Sequence, residues 1–433
     1  MVKKQEMRSG AQPYEDRALK AAAQFFGREL LPLLGVREVI RGVAPTEQVR
    51  LEIKDFQEDF NFWMEKGADG WRMDVIASIS KDQNFPDYPE EPGREYYTGK
   101  YHSNGPRLHE FIQEMNREVM AKYDCMTVGE APGSTPEVAG LFTAPERNEL
   151  DMIFTFEHMN IDRIPGSVNR KWALKPFDLV ELKRVMSDWQ TKLYGKGWNA
   201  LYFENHDQPR VISRWGNDRE YREACAKAYA TVLHGMQGTP YIYQGEEIGM
   251  TNVHLNLADY EDIEVRNAYE ELVVKGKTIS EEEFRKAVWN KSRDNARTPM
   301  QWDDTEQAGF TGGSPWFKIN DRYREINVKR ALADPDSVFY YYQKLIRLRH
   351  EEPLLTEGEY VLVLEQDPHI FAYLRRSESE TWLVAANLSE ESLPADTLAR
   401  YAGERPEFLI SNYGRVEMSG DLQPYEAFIA RVR

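Results

Sequence analysis

The sequence predicts an α/β fold followed by an all-β unit, on three observations. From about Glu47 to Pro353, long amphipathic patterns alternate with short, nearly continuous apolar runs, as expected of buried parallel strands covered by helices. Those apolar runs end in polar clusters, at the strand ends where barrel and open α/β folds alike place their chemistry. Beyond Pro353 the helical patterns give way to short β-rich runs separated by turn residues, the text of a small sandwich. The chain therefore divides into an N-terminal segment 1–45, an α/β unit 46–353 and a β unit 354–433.

Each element has its own signal. Val49, Ile53, Phe56 and Phe60 recur at helical spacing from Glu47, and Gly67 closes that pattern. A strand-like run, GWRMDVI, covers Gly70 to Ile76. A helix is expected over Gly105–Tyr123 and a strand over Cys125–Ala131. Another strand, MIFTFEH, spans Met152–His158. Helix Leu179–Tyr194 leads to strand Asn199–Asp207, and helix Glu220–Met236 to strand Pro240–Ile248. The last clear helix is Ser337–Glu352. Strands follow at 360–366, 370–377, 381–389, 407–413 and 427–433, with a helix interrupting them only near Thr397. Residues 1–45 read as one amphipathic helix and a connector.

Composition narrows the function. Hydrophobic residues are 41% and charged residues 29% of the 433, ordinary for a globular chain. Asp plus Glu number 72 against 55 Lys plus Arg, a net charge of −17, which disfavours nucleic acid and anionic membranes as partners. No apolar run approaches the roughly 18 to 20 residues of a membrane span, and no secretory leader is visible at Met1. A cytoplasmic location is the expectation. Two cysteines, Cys125 and Cys225, are too few for a disulfide framework or a thiolate metal cage. Neither a metal nor a cofactor is called for. Oligomeric state is left open.

Three carboxylates stand at the ends of three strand-like runs: Asp74 in GWRMDVI, Glu130 in VGEAPG and Asp207 in FENHDQPR. Such a trio suits glycoside hydrolysis, in which one carboxylate attacks the anomeric carbon, another protonates the leaving oxygen and a third steadies the cationic transition state. Singly, each could equally cap the helix that follows. Arg72, two residues before Asp74, points to the same face of its strand and would keep Asp74 ionised. His206, beside Asp207, could donate to a sugar hydroxyl.

Taken together and in this order, the three motifs resemble those of glycoside hydrolase family 13. The similarity continues through TPYIYQGEEIGM (Thr239–Met250), SRDNARTPMQWD (Ser292–Asp303), AGFTGGSPWFKIN (Ala308–Asn320) and LQPYEAFIARV (Leu422–Val432). It is of the oligo-1,6-glucosidase and α-glucosidase branch and covers roughly Thr46 to Arg433. The resemblance implies a (β/α)8 TIM barrel with a C-terminal β-sandwich, and a retaining α-glucosidase acting on small α-gluco-oligosaccharides. It implies Asp74 as nucleophile, Glu130 as acid and base, and Asp207 as the carboxylate on the C2 and C3 hydroxyls. Arg72, His206 and Arg297 would line the glucose subsite. Val75, next to the nucleophile, goes in this branch with α-1,6 linkages.

The N-terminal part departs from the family. Only barrel strands four to eight can be read; the early DxxxNH motif, the inserted domain after the third strand and the early calcium loop have no counterpart. The barrel is thus expected to be incomplete. Two alternatives accompany the leading reading: another α-glucoside hydrolase of the family, such as a trehalose-6-phosphate hydrolase, and a truncated, inactive sugar-binding remnant.

Overall fold

The computed structural model describes residues 60–84 and 103–432. The helix of segment 1–45 and most of the one expected from Glu47 lie outside the described residues. The elements below belong to the unit Asn61–Arg433. Gly67, at φ 93°, ends the helical turn 61–65 as expected, since a left-handed cap suits glycine.

Five parallel strands follow: β1 (Gly70–Met73), β2 (Met126–Glu130), β3 (Met152–Phe154), β4 (Ala200–Leu201) and β5 (Thr239–Pro240). β1, β2 and β3 pair in that order, an Ile153–Asn199 bridge carries the ladder on to β4, and β4 pairs with β5. Spatial order therefore equals chain order. Helices α1 (Leu108–Glu118), α2 (Pro136–Thr143), α3 (Leu179–Leu193) and α4 (Arg222–His234) follow successive strands. α3 buries Leu179, Leu182, Val185, Met186, Trp189 and Leu193 along one stripe. Its N-terminus is capped by Asp178, whose side chain accepts the Glu181 N–H.

The strands are shorter than the apolar runs that announce them. Of Asn199–Asp207 only Ala200 and Leu201 are strand, yet Tyr202 and Phe203 are still only 1% exposed. Burial made them apolar, and the chain turns out of the ladder towards the site. Likewise Pro240–Ile248 contributes only Pro240 to β5. Several helical stretches had no assignment from sequence, the longest being α2, the segment Ile263–Lys275, and α5 (Glu281–Lys291). α5 carries a legible signal, the Ser280–Glu283 capping box, in which each side chain accepts from the other's backbone N–H.

At the C-terminal end, β6 (Glu359–Val363), β7 (Ile370–Arg376), β8 (Thr381–Asn387), β10 (Glu407–Ser411) and β12 (Ala427–Val432) form an antiparallel sheet in the order β10-β12-β8-β7-β6. Side-chain alternation splits it cleanly. Phe371, Tyr373, Trp382, Val384 and Ile429 join the core with α3, α4 and α6 (Val338–Glu351). Ile370, Ala372, Leu374, Leu383 and Phe428 face α7 (Asp396–Ala402). The expected sandwich is corrected accordingly: its second layer is mostly helix, with a two-stranded ribbon of β9 (Leu393–Pro394) and β11 (Asp421–Leu422). Lys183 of α3 ties the units together, its buried ammonium donating to the carbonyls of Asp367 at 2.7 Å and Ile370 at 3.1 Å.

Candidate active site

β1 and β2 run parallel with Met73 opposite Gly129, so the next residues, Asp74 and Glu130, emerge side by side. The close approach at their start requires glycine: a Cβ on Gly70 would lie 2.0 Å from the Met126 carbonyl oxygen. Arg72 spans both carboxylates. One guanidinium nitrogen donates to Asp74 and another to Glu130 at 2.9 Å. Val75 turns the chain sharply at φ 41°, ψ 43°, a conformation that costs a β-branched residue energy. In that posture its N–H donates to the same Glu130 oxygen, at 3.3 Å.

The two carboxyl groups accept from the same guanidinium and are driven apart in acidity. The hydrogen bond from Arg72 holds Asp74 below the ordinary carboxylate range. Burial, seconded by the neighbouring Asp74, pushes Glu130 up. Their side chains are 75% and 10% exposed, so desolvation falls more heavily on Glu130 and is outweighed at Asp74 by the bond from Arg72.

A second cluster forms after β4. The Asp207 N–H donates to Asn205 Oδ1 at 2.8 Å, a local turn that fixes the backbone. Arg297 donates to Asp207 Oδ1 at 2.5 Å and, through Nε, to the His206 carbonyl at 2.9 Å. The His206 ring lies 3.5 Å from the other Asp207 oxygen and within electrostatic reach of Asp74. Sequence reasoning missed two members. Arg293 sits 3.6 Å from Asp207 and grips the buried Asp262 with two hydrogen bonds of 2.8 and 2.9 Å. Burial raises Asp262, but Arg293 and the Glu264 N–H outweigh it and hold the carboxyl below its usual range. Arg293 could have been found four residues before Arg297 in SRDNAR; Asp262 had no local signal.

Between the clusters runs a cleft of about 540 Å³ lined by Trp71, Arg72, Glu130, Phe154, Tyr202, His206 and Tyr243. An aromatic wall of Trp71, Phe154, Phe156, Tyr202, Tyr241 and Tyr243, interspersed with Asp69, Arg72, Glu130, Glu204, Asn205 and His206, suits a sugar. Of the seven residues expected at the site, Arg72, Asp74, Val75 and Glu130 gather around the ends of β1 and β2, while His206, Asp207 and Arg297, the last from a loop after α5, form a second group; Arg72, Glu130 and His206 line the cleft.

A parallel α/β sheet with acids and arginines gathered beyond the C-terminal ends of its strands is the arrangement of an α/β enzyme. The chain belongs to the α-amylase family: residues 44–358 match the alpha amylase catalytic domain and residues 360–429 the maltogenic amylase C-terminal domain. It is 60% identical over 383 residues to an oligo-1,6-glucosidase of Heyndrickxia coagulans, covering 88% of this chain and 68% of that one. A trehalose-6-phosphate hydrolase of Bacillus subtilis is 46% identical, covering 89% of this chain and 68% of the relative. Among solved structures, the isomaltulose synthase of Klebsiella sp. LX3 superposes with a TM-score of 0.80 at 37% identity, over 88% of this chain and 68% of the other. The chain thus spans about two thirds of the length of these relatives.

Proposed function

We propose that the protein is a retaining α-glucosidase that releases glucose from short α-1,6-linked oligosaccharides, with Asp74, Glu130 and Asp207 as its working carboxylates. The observation that carries this is the Asp74–Arg72–Glu130 unit: two acids joined by one guanidinium, the first made more acidic than an ordinary carboxylic acid and the second less. Retaining glycosidases hold their pair about 5 to 5.5 Å apart, inverting ones about 6.5 to 9.5 Å. Acids bridged by a single guanidinium suit the closer spacing.

The chemistry follows from those states. An Asp74 oxygen bonds to the anomeric carbon as the glycosidic C–O bond breaks, and the Glu130 proton passes to the departing oxygen. Glu130, now a carboxylate, takes a proton from water; the water oxygen bonds to the anomeric carbon and Asp74 leaves. Asp207, fixed by Arg293 and Arg297, would accept from the hydroxyls at C2 and C3. His206 and Arg72 complete the subsite, and Val75 favours α-1,6 linkages.

A trehalose-6-phosphate substrate is the second reading, supported by the 46% identical relative. The pairing of charges favours the first. Arg72, Arg293 and Arg297 are each bonded to a carboxylate, so the described cleft offers a phosphate no spare cation. We read residues 46–353 as the catalytic unit, its five strands corresponding to barrel strands four to eight, and 354–433 as the C-terminal unit.

The test is hydrolysis of isomaltose, followed by proton NMR for the first anomer released. The α-anomer should appear first, and Asp74→Asn should lower kcat by on the order of 10³-fold or more. Initial release of the β-anomer, or an Asp74→Asn variant of near-native rate, would refute the assignment.

A further inference from the structure

Asp207 sits at the tip of a turn, and the residues that close the stem of that turn have no part in the hydrolytic reading. The Gln208 N–H donates to the Asn205 carbonyl at 3.2 Å, so the tip is a tight turn over 205–208. Below it, Glu204 reaches across to the returning chain. Arg210 Nη1 donates to Glu204 Oε1 at 2.8 Å, and the Val211 N–H donates to Oε2 at 2.7 Å. Both carboxylate oxygens are thus spent on closing the loop that carries Asp207. The Arg210 N–H donates in turn to Asn252 Oδ1 at 2.8 Å, which ties the stem to the chain beyond β5.

Stability alone gives no reason for charges here. The Glu204 and Arg210 side chains are 2% and 0% exposed. A buried ion pair recovers little beyond the desolvation of its two charges, and well-packed apolar residues would serve stability as well. What the charges add is direction. Arg210 Nη1 also donates to the Gln244 carbonyl at 2.8 Å, and the guanidinium lies 5.0 Å from the centre of the Tyr243 ring. The loop after β5 fits closely around it: a Cβ on Gly245 would lie 3.1 Å from Arg210 Nη2 and 2.3 Å from the Met250 sulfur.

Tyr243 carries the order onward. Its hydroxyl donates to the Ala296 carbonyl at 3.0 Å, and Ala296 immediately precedes Arg297. Arg297 then donates to Asp207 Oδ1 and to the His206 carbonyl, which returns the path to the tip where it began. Three loops distant in sequence, around Asp207, Tyr243 and Arg297, are locked together through one buried guanidinium and one phenol. We propose that Glu204, Arg210 and Tyr243 are positioning residues that act through Asp207, holding its carboxylate at one place and angle beside Arg297. The inference rests on the reading of Asp207 as the group that accepts from the sugar hydroxyls at C2 and C3. A carboxylate so held meets those hydroxyls without first paying to be ordered.

The test compares glucose with 2-deoxyglucose, which lacks one of the two hydroxyls assigned to Asp207. Both sugars are titrated calorimetrically, and their p-nitrophenyl α-glycosides are assayed for hydrolysis. In the full chain, Glu204→Gln and the milder Tyr243→Phe should each weaken glucose binding and lower kcat/KM on the glucoside about tenfold. On the 2-deoxy compounds the loss should shrink to about threefold or less. Glu426→Gln breaks the comparably buried Arg415–Glu426 pair beside the C-terminal sheet; it should lower the melting temperature and leave the ratio between the two sugars unchanged. Equal losses on both sugars, or the same discrimination in Glu426→Gln, would overturn the proposal. Should Glu204→Gln fail to fold, Tyr243→Phe decides by the same ratio. A native chain that hydrolyses neither glycoside, with variants that still lose glucose more than 2-deoxyglucose, would sink the hydrolytic reading and leave the positioning role standing.

Discussion

Arg72 is the residue on which the site's electrostatics turn. Its guanidinium reaches Asp74 and Glu130 at once, and the difference between the two acids is exposure. The exposed Asp74 feels mainly the cation; the buried Glu130 feels mainly the loss of water. The sign of the pH dependence follows. In the proposed roles Asp74 works ionised, so kcat/KM should fall on the acid side through its depressed pKa. Glu130 works protonated, so activity should fall on the alkaline side through a pKa raised above the ordinary glutamate. Glu130→Gln should lower the rate and erase the alkaline limb, read from kcat/KM against pH; a limb that survives would assign it to another group. Asp262 acts one step further out. Asp262→Asn weakens the paired bonds to Arg293 and loosens Asp207, and kcat/KM should fall about 10- to 100-fold. If steady-state kinetics showed only a stability change, with kcat/KM retained, Asp262 would be structural.

Elements place these residues through short contacts that tolerate no spare atom. The β1–β2 pairing brings Gly70 against the Met126 carbonyl, and that pairing aligns Asp74 with Glu130. Gly70→Ala should therefore cost several kcal/mol through backbone displacement, about as much as other severe core changes, and reduce activity together with the melting temperature. Thermal melting with and without activity assay distinguishes this from a local effect; an unshifted transition would show that β1 can move freely. Much of this scale was legible in sequence. The stripe of α3 and the glycine at position 67 sit where periodicity and capping put them. Strand lengths were not legible, because Tyr202 and Phe203 are as buried as strand residues but belong to the turn.

Across the molecule, a buried acidic network couples the site loops to α6. Glu204, after β4, pairs with Arg210 at 2.8 Å. Glu246, after β5, accepts from Tyr342 of α6 at 2.7 Å and from the Tyr243 N–H at 3.1 Å. Burial, with Glu204 as a like-charged neighbour, lifts Glu246 to about 8. Because the folded pKa is raised, the contribution to stability is present in full below the unfolded carboxylate pKa and is lost as pH rises through about 8. Glu246→Gln reproduces the neutral acid and should flatten the decline in melting temperature over that window. Identical slopes for variant and native chain would remove Glu246 from the account.

The sequence by itself determined the succession of βα units and the strands of the C-terminal sheet, and it put forward Asp74, Glu130, Asp207 and Arg297 as candidates. These are properties of local pattern, because helix stripes, apolar runs and motif text involve neighbours along the chain. Only the tertiary structure decided that Arg72 serves two carboxylates, that Val75 adopts a left-handed turn to reach Glu130, and that Asp262 anchors Arg293 beside Asp207. It also decided that a helix covers the outer face of the C-terminal sheet. Each of these joins groups distant in sequence or depends on burial, and burial is set by what packs on a residue rather than by the residue itself.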